Sequence, residues 1–432
     1  MIPANPLDHV FAYPEAAAAR DGVVATYFME CAPGEDVWSR AAGLAVGQSI
    51  GTWTAVPGID EAMLARHLGQ VVTAYEVPPR ELRSQVSDTP RTYVVQIAFP
   101  EVNFGPQLPL LLTVLLGNDV STSAQVKLLD VSVSRSLALG LGGPRHGLAG
   151  IRARLGVPDR PLLLNVIKPN IGFDAATGAE MFAAAARGGC DIVKDDELLG
   201  NTGFSGSIER ARAYRLAAHR VFEETGHRAL YCVNVTDRPD RMQSVARQAV
   251  EAGADMVMIN AVASGLGALQ ALADDPAIDV PILAHYAGSS AMTEGLGSGI
   301  ASPLLLGKLM RLAGADASSF NSPYSVYPLL REKYAQTARN LTMPLYDVRA
   351  ALPVPGGGIH PATAARIIAD LGADVLLSVG GAIQGHPQGA TAGARAMRQA
   401  IDAAASGVGL AEFAVDHEEL RVAIGRWGAS AQ

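Results

Sequence analysis

Long apolar runs and a targeting segment are missing from this 432-residue chain. No stretch reaches the roughly 20 consecutive apolar residues that a membrane-spanning helix needs. The first residues include Pro3, Pro6 and Asp8 and lack the basic start and apolar core of a secretory signal. We therefore expect a soluble, cytoplasmic protein that neither spans nor binds a membrane.

Cysteine is equally scarce. The three cysteines, Cys31, Cys190 and Cys232, are far apart and form no Cys-x-x-Cys pair. Cys190 and Cys232 lie in apolar stretches, where buried free thiols are common. This pattern is typical of a protein of the reducing cytoplasm.

Excess positive charge is also absent. The formal net charge is −8, and acidic and basic residues are interspersed rather than grouped. Such a surface disfavours nucleic acids and anionic membranes, so a small molecule is the expected partner. Hydrophobic residues make up 49% of the chain and charged residues 18%, which suits a large core and argues against disorder. The length fits two or three domains.

A repeating pattern begins near residue 162. Short apolar runs alternate with longer alanine-rich stretches, such as residues 178–187 and 208–224, whose apolar residues have helical spacing. The eight apolar runs are residues 162–167, 191–193, 230–235, 256–262, 282–284, 315–320, 352–355 and 375–379. Eight strands alternating with helices over about 250 residues predict a (β/α)8 TIM barrel. An open, doubly wound sheet is the alternative, because periodicity alone does not prove closure.

The first third of the chain has a different pattern. Strand-like runs at residues 23–30, 71–77 and 92–98 are interspersed with helix-like stretches at residues 36–47 and 61–68. We predict an α+β domain of ferredoxin-like type over residues 1–145. A glycine-rich junction at residues 137–147 would join it to the α/β barrel domain, residues 146–432, which ends in a helical tail.

The string Lys194-Asp195-Asp196-Glu197 ends the second barrel strand. Alternation along a strand puts Lys194 and Asp196 on one face and Asp195 on the other, and Glu197 follows where a loop can bend it inward. Barrel enzymes keep their sites at this C-terminal mouth. A lysine among carboxylates can be a simple salt-bridge hub. Alternatively, a neutral Lys194 adds carbon dioxide and becomes a carbamate, which joins Asp196 and Glu197 as an oxygen ligand of Mg2+.

Other strand ends carry residues that admit more than one interpretation. Lys168, after strand one, is a proton shuttle beside a carbonyl, a phosphate ligand or a surface lysine. His285, after strand five, is a catalytic imidazole or a hydrogen-bonded structural residue. Glycines follow strands seven and eight, at residues 356–358 and 380–381, where many barrels bind a phosphate through backbone amides. Glycine is also common in tight turns, so these glycines alone do not establish a phosphate site.

Together these segments resemble the large subunit of ribulose bisphosphate carboxylase (RuBisCO), in the family's order and over nearly the whole chain. Residues 49–54 resemble its Gly-Thr-Trp-Thr segment, residues 117–118 its active-site asparagine and residues 143–147 its domain junction. Residues 167–169 match the strand-one lysine motif, and residues 189–197 match the carbamate and metal motif. Residues 357–360, 380–381 and 385–387 resemble the late glycine motifs. The chain is thereby identified as a member of the RuBisCO superfamily.

The resemblance implies a role for each matching residue. Lys194 would carry the carbamate and bind Mg2+ together with Asp196 and Glu197, and Lys168 would be the acid-base lysine. Further catalytic roles would fall to His285 and Asn118, and substrate contacts to Tyr286 and Ser319. One phosphate would be held by Thr52, Trp53, Gly358, Gly380 and Gly381. In this family the N-terminal domain of a partner subunit completes the site, so Thr52, Trp53 and Asn118 would act across a homodimer or a larger assembly of dimers.

Departures from the family pattern separate this chain from the carboxylases. Tyr286 replaces an arginine and Ser319 a histidine of the second phosphate site, and tyrosine offers neither the charge nor the fork geometry of arginine. The loop at residues 321–328 lacks the lysine that would hold carbon dioxide. Lysine, glutamate and serine of the carboxylases are replaced by Asn170, Gly47 and Gly356. This is the pattern of RuBisCO-like (form IV) proteins, so we expect a singly phosphorylated substrate and no carbon fixation.

Known RuBisCO-like enzymes enolise or isomerise methionine-salvage intermediates, or decarboxylate or otherwise cleave an oxo-isoapionate phosphate. Some of the enolases lack the strand-one lysine, whereas Lys168 is present here, in position to protonate the enediolate left by lost carbon dioxide. The leading prediction is therefore Mg2+-dependent decarboxylation, or related carbon–carbon cleavage, of a 3-oxo-isoapionate 4-phosphate type sugar acid.

Two alternatives remain. One is a methionine-salvage enolase or isomerase that acts on diketo-methylthiopentyl phosphate or methylthioribulose phosphate. The other is a non-catalytic relic that binds a ligand. The intact set of Lys168, Lys194, Asp196 and Glu197 argues against a relic, which would not need all four.

Overall fold

The structure, a computed structural model, describes residue 7 and residues 9–52, 56–85, 88–122 and 125–428. The chain divides into two compact units. The first comprises Met1–Gly142, Gly288–Leu305 and Leu345–Asp347, and the second comprises Gly143–Ala287, Leu306–Pro344 and Val348–Gln432. In the described part of the chain, no helix is long and apolar enough to cross a membrane.

The described residues of the first unit form a five-stranded sheet. Its strand order is Gly299–Ile300, Val126–Val133, Gly22–Cys31, Arg91–Pro100 and Gln70–Glu76. The four longer strands pair antiparallel, and the short edge strand Gly299–Ile300 pairs parallel. Every second residue of the central strand is buried, including Ala25, Tyr27 and Met29, as expected for a sheet with one face on a core. The predicted N-terminal α+β fold is confirmed.

Helices cover this sheet and connect its strands. They are Pro14–Ala18, Val37–Gly47, Glu61–His67, Leu108–Leu116, Asn118–Ser121, Arg135–Gly140 and Ser290–Thr293, with 3-10 turns at Arg83–Gln85 and Glu101–Asn103. The sequence prediction missed the helix Leu108–Leu116 and the strand Val126–Val133. The helix is almost wholly apolar, Leu-Pro-Leu-Leu-Leu-Thr-Val-Leu-Leu, so it shows no helical period.

Within residues 143–428, all of which the structure describes, eight parallel strands form the second sheet. In chain order they are barrel strands one to eight: Leu162–Val166, Ile192–Lys194, Leu230–Asn234, Met256–Asn260, Ile282–His285, Ala317–Asn321, Leu352–Gly356 and Leu376–Val379. Each pairs with the next up to strand seven, strand eight pairs with strand one, and strands seven and eight contact each other. The sheet is a nearly closed barrel. The prediction of a (β/α)8 barrel is confirmed, and an open doubly wound sheet is excluded.

The helices of the second unit lie before, between and after these strands. They are Gly147–Leu155, Ala175–Arg187, Ser207–Thr225, Pro239–Glu251, Ala261–Ser264, Leu266–Asp274, Met310–Leu312, Arg331–Thr342, Pro361–Leu371, Gly381–Gln384, Ala390–Ser406, Leu410–Phe413 and Glu418–Trp427. A π-helical turn at Leu304–Leu309 runs into Met310–Leu312. The last two helices correspond to the predicted helical tail.

Side chains of alternate strand residues fill the barrel. The cluster includes Leu162, Leu164, Ile192, Met256, Leu283 and Leu376. Ile151 and Leu155, from the helix that precedes strand one, belong to the same cluster. The interior is thus a packed apolar core, which leaves the strand ends as the place where polar side chains can meet.

Candidate active site

The C-terminal ends of the barrel strands bring several predicted site residues together. Lys168 Nζ lies 2.5 Å from Asp196 Oδ2, across the ends of strands one and two. His285 Nε2, after strand five, lies 3.6 Å from Glu197 Oε2. These contacts join side chains that are 28 and 88 positions apart in the chain. They form one polar cluster at the barrel mouth.

Lys194 is the deepest member of the cluster. It is 1% exposed, and its Nζ donates a hydrogen bond to the backbone oxygen of Asp195 at 2.9 Å. Burial lowers the pKa of Lys194, although the negative charges of Glu197 and Asp196 act in the opposite direction. A lowered pKa makes the neutral amine more available, and only a neutral amine can add carbon dioxide. The site therefore fits carbamate formation.

Asp196 and Lys168 form the most direct contact of the cluster. Asp196 is buried, and its Oδ1 accepts a hydrogen bond from the backbone N–H of Leu198 at 3.1 Å. Lys168 Nζ also donates to Asn170 Oδ1 at 2.7 Å. The Lys168 ammonium group thus lies at the Asp196 oxygen that could bind a cation. The same nitrogen is placed to transfer protons beside that cation.

Glu197 and His285 form the other half of the cluster. The Glu197 side chain is 32% exposed, so its carboxylate faces the open mouth. His285 Nδ1 accepts a hydrogen bond from the backbone N–H of Ala287 at 3.2 Å, which places the proton of a neutral ring on Nε2. Burial, together with the positive charges of Lys194 and Lys168, lowers the pKa of His285 well below its usual value. His285 is therefore an uncharged hydrogen-bond donor.

Asp195 points away from the mouth, as strand alternation predicts. Its carboxylate pairs with Arg210 at 3.0 Å, and the two side chains are fully buried. Tyr231 Oη and the backbone N–H of Asn234 also donate to it, at 2.8 Å and 2.9 Å. This aspartate fixes strands two and three to the helix Ser207–Thr225 and does not take part in the cluster.

Two asparagines that the sequence prediction missed support Glu197. Asn234 Nδ2 donates to the backbone oxygens of Asp196 and Glu197, each at 3.2 Å, and Asn260 Nδ2 donates to that of Glu197 at 2.9 Å. They are the last residues of strands three and four. An asparagine directly after a buried apolar run was the sequence signal that could have identified both.

The donor set fits a hard divalent cation only if Lys194 contributes. Among the described residues, no group of three or more His, Cys, Asp and Glu side chains could hold a metal ion. The mouth offers two carboxylates, Asp196 and Glu197, beside the buried Lys194 amine. A carbamate on that amine would supply the third anionic oxygen that suits Mg2+.

The two glycines after strand seven adopt left-handed conformations that favour glycine. Gly357 and Gly358 have φ of +87° and +68°. A Cβ at Gly380 would lie 3.2 Å from Lys168 Cε, whereas one at Gly381 would meet open space. Gly381 begins the helix Gly381–Gln384. The strand-eight glycines therefore lie beside the cluster, where backbone amides can approach a ligand.

Tyr286 and Ser319 line the strand-five and strand-six side of the mouth. The Tyr286 ring stacks on His285 with centroids 4.7 Å apart, and burial and the nearby Glu197 raise the pKa of Tyr286 to about 12. Ser319 is buried and its Oγ donates to the backbone oxygen of Ala284 at 3.2 Å. Neither side chain carries a positive charge for a second phosphate.

The remaining predicted site residues belong to the first compact unit. Asn118 begins the helix Asn118–Ser121, and its backbone oxygen accepts a hydrogen bond from Thr122 N–H at 2.9 Å. Thr52 is half-buried. Trp53 lies outside the described residues. The roles of these three residues stay predictions.

Comparison with known proteins places this cluster in a family. The family model of the ribulose bisphosphate carboxylase large chain, catalytic domain, matches residues 147–325 and 328–427, and that of its N-terminal domain matches residues 11–137. A 2,3-diketo-5-methylthiopentyl-1-phosphate enolase from Geobacillus thermodenitrificans is 41% identical over 94% of this chain and 98% of the enolase. A ribulose bisphosphate carboxylase-like protein from Archaeoglobus fulgidus is also 41% identical, over 92% of this chain and 90% of that protein.

Solved structures agree with these matches. A RuBisCO-like protein (MtnW) from Alicyclobacillus acidocaldarius has a TM-score of 0.86 and 36% identity, with 94% of this chain and 100% of that chain covered. A dimeric archaeal RuBisCO from Hyperthermus butylicus has a TM-score of 0.84 and 28% identity, with 95% and 96% covered. The chain therefore belongs to the ribulose bisphosphate carboxylase large-chain family, and within it to the RuBisCO-like (form IV) enzymes.

Proposed function

We propose that this chain is a divalent-cation-dependent enolase that acts on 2,3-diketo-5-methylthiopentyl 1-phosphate or a close analogue. The activity in the name of the Geobacillus relative, 41% identical along nearly its whole length, supports this substrate. The observation that carries the reaction type is the 2.5 Å contact between Lys168 Nζ and Asp196 Oδ2. The contact supports this reaction type because it brings an amine next to a carboxylate that would hold the cation, and enolisation needs both groups.

From the sequence alone, decarboxylation of a sugar-acid phosphate is the leading prediction and this enolisation is its alternative. The comparisons give that choice no support, whereas they do support its alternative. Lys168 serves either reaction, because an amine that protonates an enediolate can also remove a proton from a carbon next to a carbonyl. The presence of Lys168 therefore does not discriminate between the two.

Mg2+ would be held by Asp196, Glu197 and a carbamate on Lys194, and when bound it would polarise the reacting carbonyl oxygen of the substrate. Lys168, in its neutral form, would take the proton from the neighbouring carbon and become an ammonium. His285, which is neutral and carries its proton on Nε2, would donate a hydrogen bond to a substrate oxygen. The negative charge that develops on the substrate oxygen would thus be stabilised by the hydrogen bond from His285.

The phosphate would bind at the glycines after strands seven and eight, Gly358, Gly380 and Gly381, with Thr52 and Trp53. Tyr286 and Ser319 would line the opposite end of the substrate. Their uncharged side chains suit an apolar methylthio group better than a second phosphate. Ribulose bisphosphate is therefore not a substrate for carboxylation.

We further propose that the active unit is a homodimer, in which Thr52, Trp53 and Asn118 of one subunit act at the mouth of its partner's barrel. The family resemblance supports this arrangement, as does the dimeric archaeal RuBisCO of similar fold. Each dimer would then contain two complete sites.

The test uses purified enzyme with Mg2+ and bicarbonate. The diketo phosphate should be converted to its enol, seen as near-ultraviolet absorbance of the conjugated product, and in D2O the proton on the carbon that bears the phosphate should exchange. A parallel reaction with a 3-oxo-isoapionate 4-phosphate should release no carbon dioxide, and labelled bicarbonate should not be incorporated into ribulose bisphosphate. Carbon dioxide release without enol formation would replace the proposal with the decarboxylase.

A further inference from the structure

Asn260 ends barrel strand four and lies beside the metal-ligand cluster. It is the register partner of His285, so the two side chains leave neighbouring strands at the same level. Asn260 Nδ2 donates to the backbone oxygen of Glu197 at 2.9 Å, and His285 lies 3.6 Å from the carboxylate of the same residue. A carbonyl oxygen only accepts hydrogen bonds, so this contact fixes the nitrogen of the amide toward Glu197. The amide oxygen must then point the other way.

This oxygen, Asn260 Oδ1, is buried and has no hydrogen-bond partner within the part of the chain that the structure describes. The contrast with Asn234 is informative. Asn234 Nδ2 donates to the same backbone oxygen, but its Oδ1 accepts a hydrogen bond from the backbone N–H of Thr236 at 3.0 Å. Buried polar atoms are nearly always paired, so the free acceptor of Asn260 indicates a ligand that supplies a donor.

The proposed substrate class does not supply that donor. The two carbonyl oxygens of a diketo phosphate only accept hydrogen bonds, and the phosphate is assigned to the glycines of strands seven and eight. The Glu197 carboxylate and backbone oxygen beside Asn260 are acceptors too, and His285 makes no hydrogen bond to Asn260 Oδ1. Water in the hydration shell of a cation, in contrast, presents O–H groups outward, and Mg2+ usually keeps several waters.

We infer that Asn260 is a positioning residue for the divalent cation: its Nδ2 holds the Glu197 backbone, and its Oδ1 accepts a hydrogen bond from a water molecule on the cation. The inference rests on the cation site of the proposed function and adds to it an oxygen that binds the cation through a water molecule. It does not depend on which phosphorylated substrate is turned over.

Two variants of Asn260 and one of Asn234 separate the two halves of this role. Asn260→Asp keeps an acceptor oxygen and loses the donor, whereas Asn260→Leu loses both at similar size. Asn234→Leu is the matched control, because it removes a donor to the same Glu197 oxygen without removing a free acceptor. Mg2+ binding is measured by calorimetry on substrate-free protein with bicarbonate, and free Mn2+ by electron paramagnetic resonance. Thermal unfolding reports on folding.

We expect Asn260→Leu to weaken Mg2+ and Mn2+ binding by about 10–100-fold, as loss of a residue that supports metal ligands usually does. Asn260→Asp and Asn234→Leu each lose a donor to Glu197 but no free acceptor, so both should bind the cations more tightly than Asn260→Leu does. Equal weakening in all three variants, or wild-type binding by Asn260→Leu, would overturn the inference. If Asn260→Leu does not fold, wild-type affinity in Asn260→Ser, whose shorter side chain cannot reach the same position, would also overturn it. Wild-type protein that binds Mg2+ but forms no enol would contradict the proposed function alone.

Discussion

Lys194 combines burial with a position between two carboxylates. Its amine is 1% exposed and its pKa is lowered by that burial, so the neutral form that reacts with carbon dioxide is favoured. A carbamate would turn an unfavourable buried amine into an anion that neutralises the cation.

Lys194→Met should abolish Mg2+-dependent turnover, because the third anionic oxygen is lost. With 13C-bicarbonate, the wild type should give a carbamate signal in the carbon NMR spectrum, and the variant should not. Lys333→Met, on the outer helix Arg331–Thr342, is the control and should keep both turnover and signal. Wild-type turnover in Lys194→Met would remove the carbamate from the mechanism and leave the fold unaffected.

Lys168 is expected to act on protons rather than on the cation. Lys168→Met should lower kcat by about 10²–10⁴-fold, the usual contribution of a general acid or base. Mg2+ should still bind, because Asp196 Oδ2 loses only its contact with the ammonium group. Turnover is measured by solvent proton exchange and Mg2+ affinity by calorimetry. Loss of Mg2+ binding together with activity would show that Lys168 organises the ligands instead.

At the scale of whole elements, Asp195 ties strands two and three to the helix Ser207–Thr225. Its partners Arg210 and Tyr231 are fully buried with it. A charge left without its buried partner is strongly unfavourable, so Asp195→Asn should lower the free energy of unfolding by about 3–5 kcal/mol. Urea unfolding measures this loss.

The control for Asp195 is Asp240→Asn, which weakens an ion pair with Arg238 whose side chains are 61% and 71% exposed. It should cost less than about 1 kcal/mol. Asp195→Asn should still bind Mg2+ at low temperature, because Asp195 faces away from the mouth. A stable Asp195→Asn variant without Mg2+ binding would assign Asp195 to the active site.

The loop after strand six is the second element with a clear physical role. Tyr324 Oη donates to Asp370 Oδ2 at 2.6 Å, and the Arg366 guanidinium lies 4.1 Å from the centre of the Tyr324 ring. No sequence motif predicts this contact with the helix Pro361–Leu371. The following residues, Ser325 and Val326, pack against Gly357 and Gly358. Tyr324 therefore positions the loop over the proposed phosphate site.

Tyr324→Phe removes a hydrogen bond to a charged acceptor, which is typically worth about 1.5–3 kcal/mol. We expect a rise in KM for the phosphorylated substrate of about tenfold, weaker inhibition by inorganic phosphate and little change in Mg2+ affinity. Arg331→Ala is the control, since Arg331 contacts the same Asp370 with a side chain that is 74% exposed. An equal effect of both variants would indicate a general loss of helix stability.

For the whole molecule, the proposed dimer predicts complementation between inactive subunits. Asn118→Ala and Lys194→Met should each be inactive alone, since each damages every site of its own homodimer. After mixing and exchange of subunits, about half of the dimers contain one subunit of each variant. In such a dimer one site carries both substitutions and the other site carries neither. One intact site in half of the dimers should restore about a quarter of wild-type activity. Activity and sedimentation of the mixtures are measured together. No recovery after demonstrated exchange would place Asn118 in the same subunit's site or outside the site.

The eight barrel strands can be predicted from the sequence, because short apolar runs are a local property of the chain. The faces on which Lys194 and Asp196 lie can also be predicted, because side chains alternate along a strand. The sequence also identified which charged residues of a carboxylase are missing, such as the arginine replaced by Tyr286. Only the tertiary structure decided that the barrel closes and that Lys168 meets Asp196, because pairing and side-chain contacts between distant residues depend on how the elements pack. The unpaired acceptor Asn260 Oδ1 is likewise seen only in the folded structure. Whether an atom has a hydrogen-bond partner depends on all the groups around it, and these come from distant parts of the sequence.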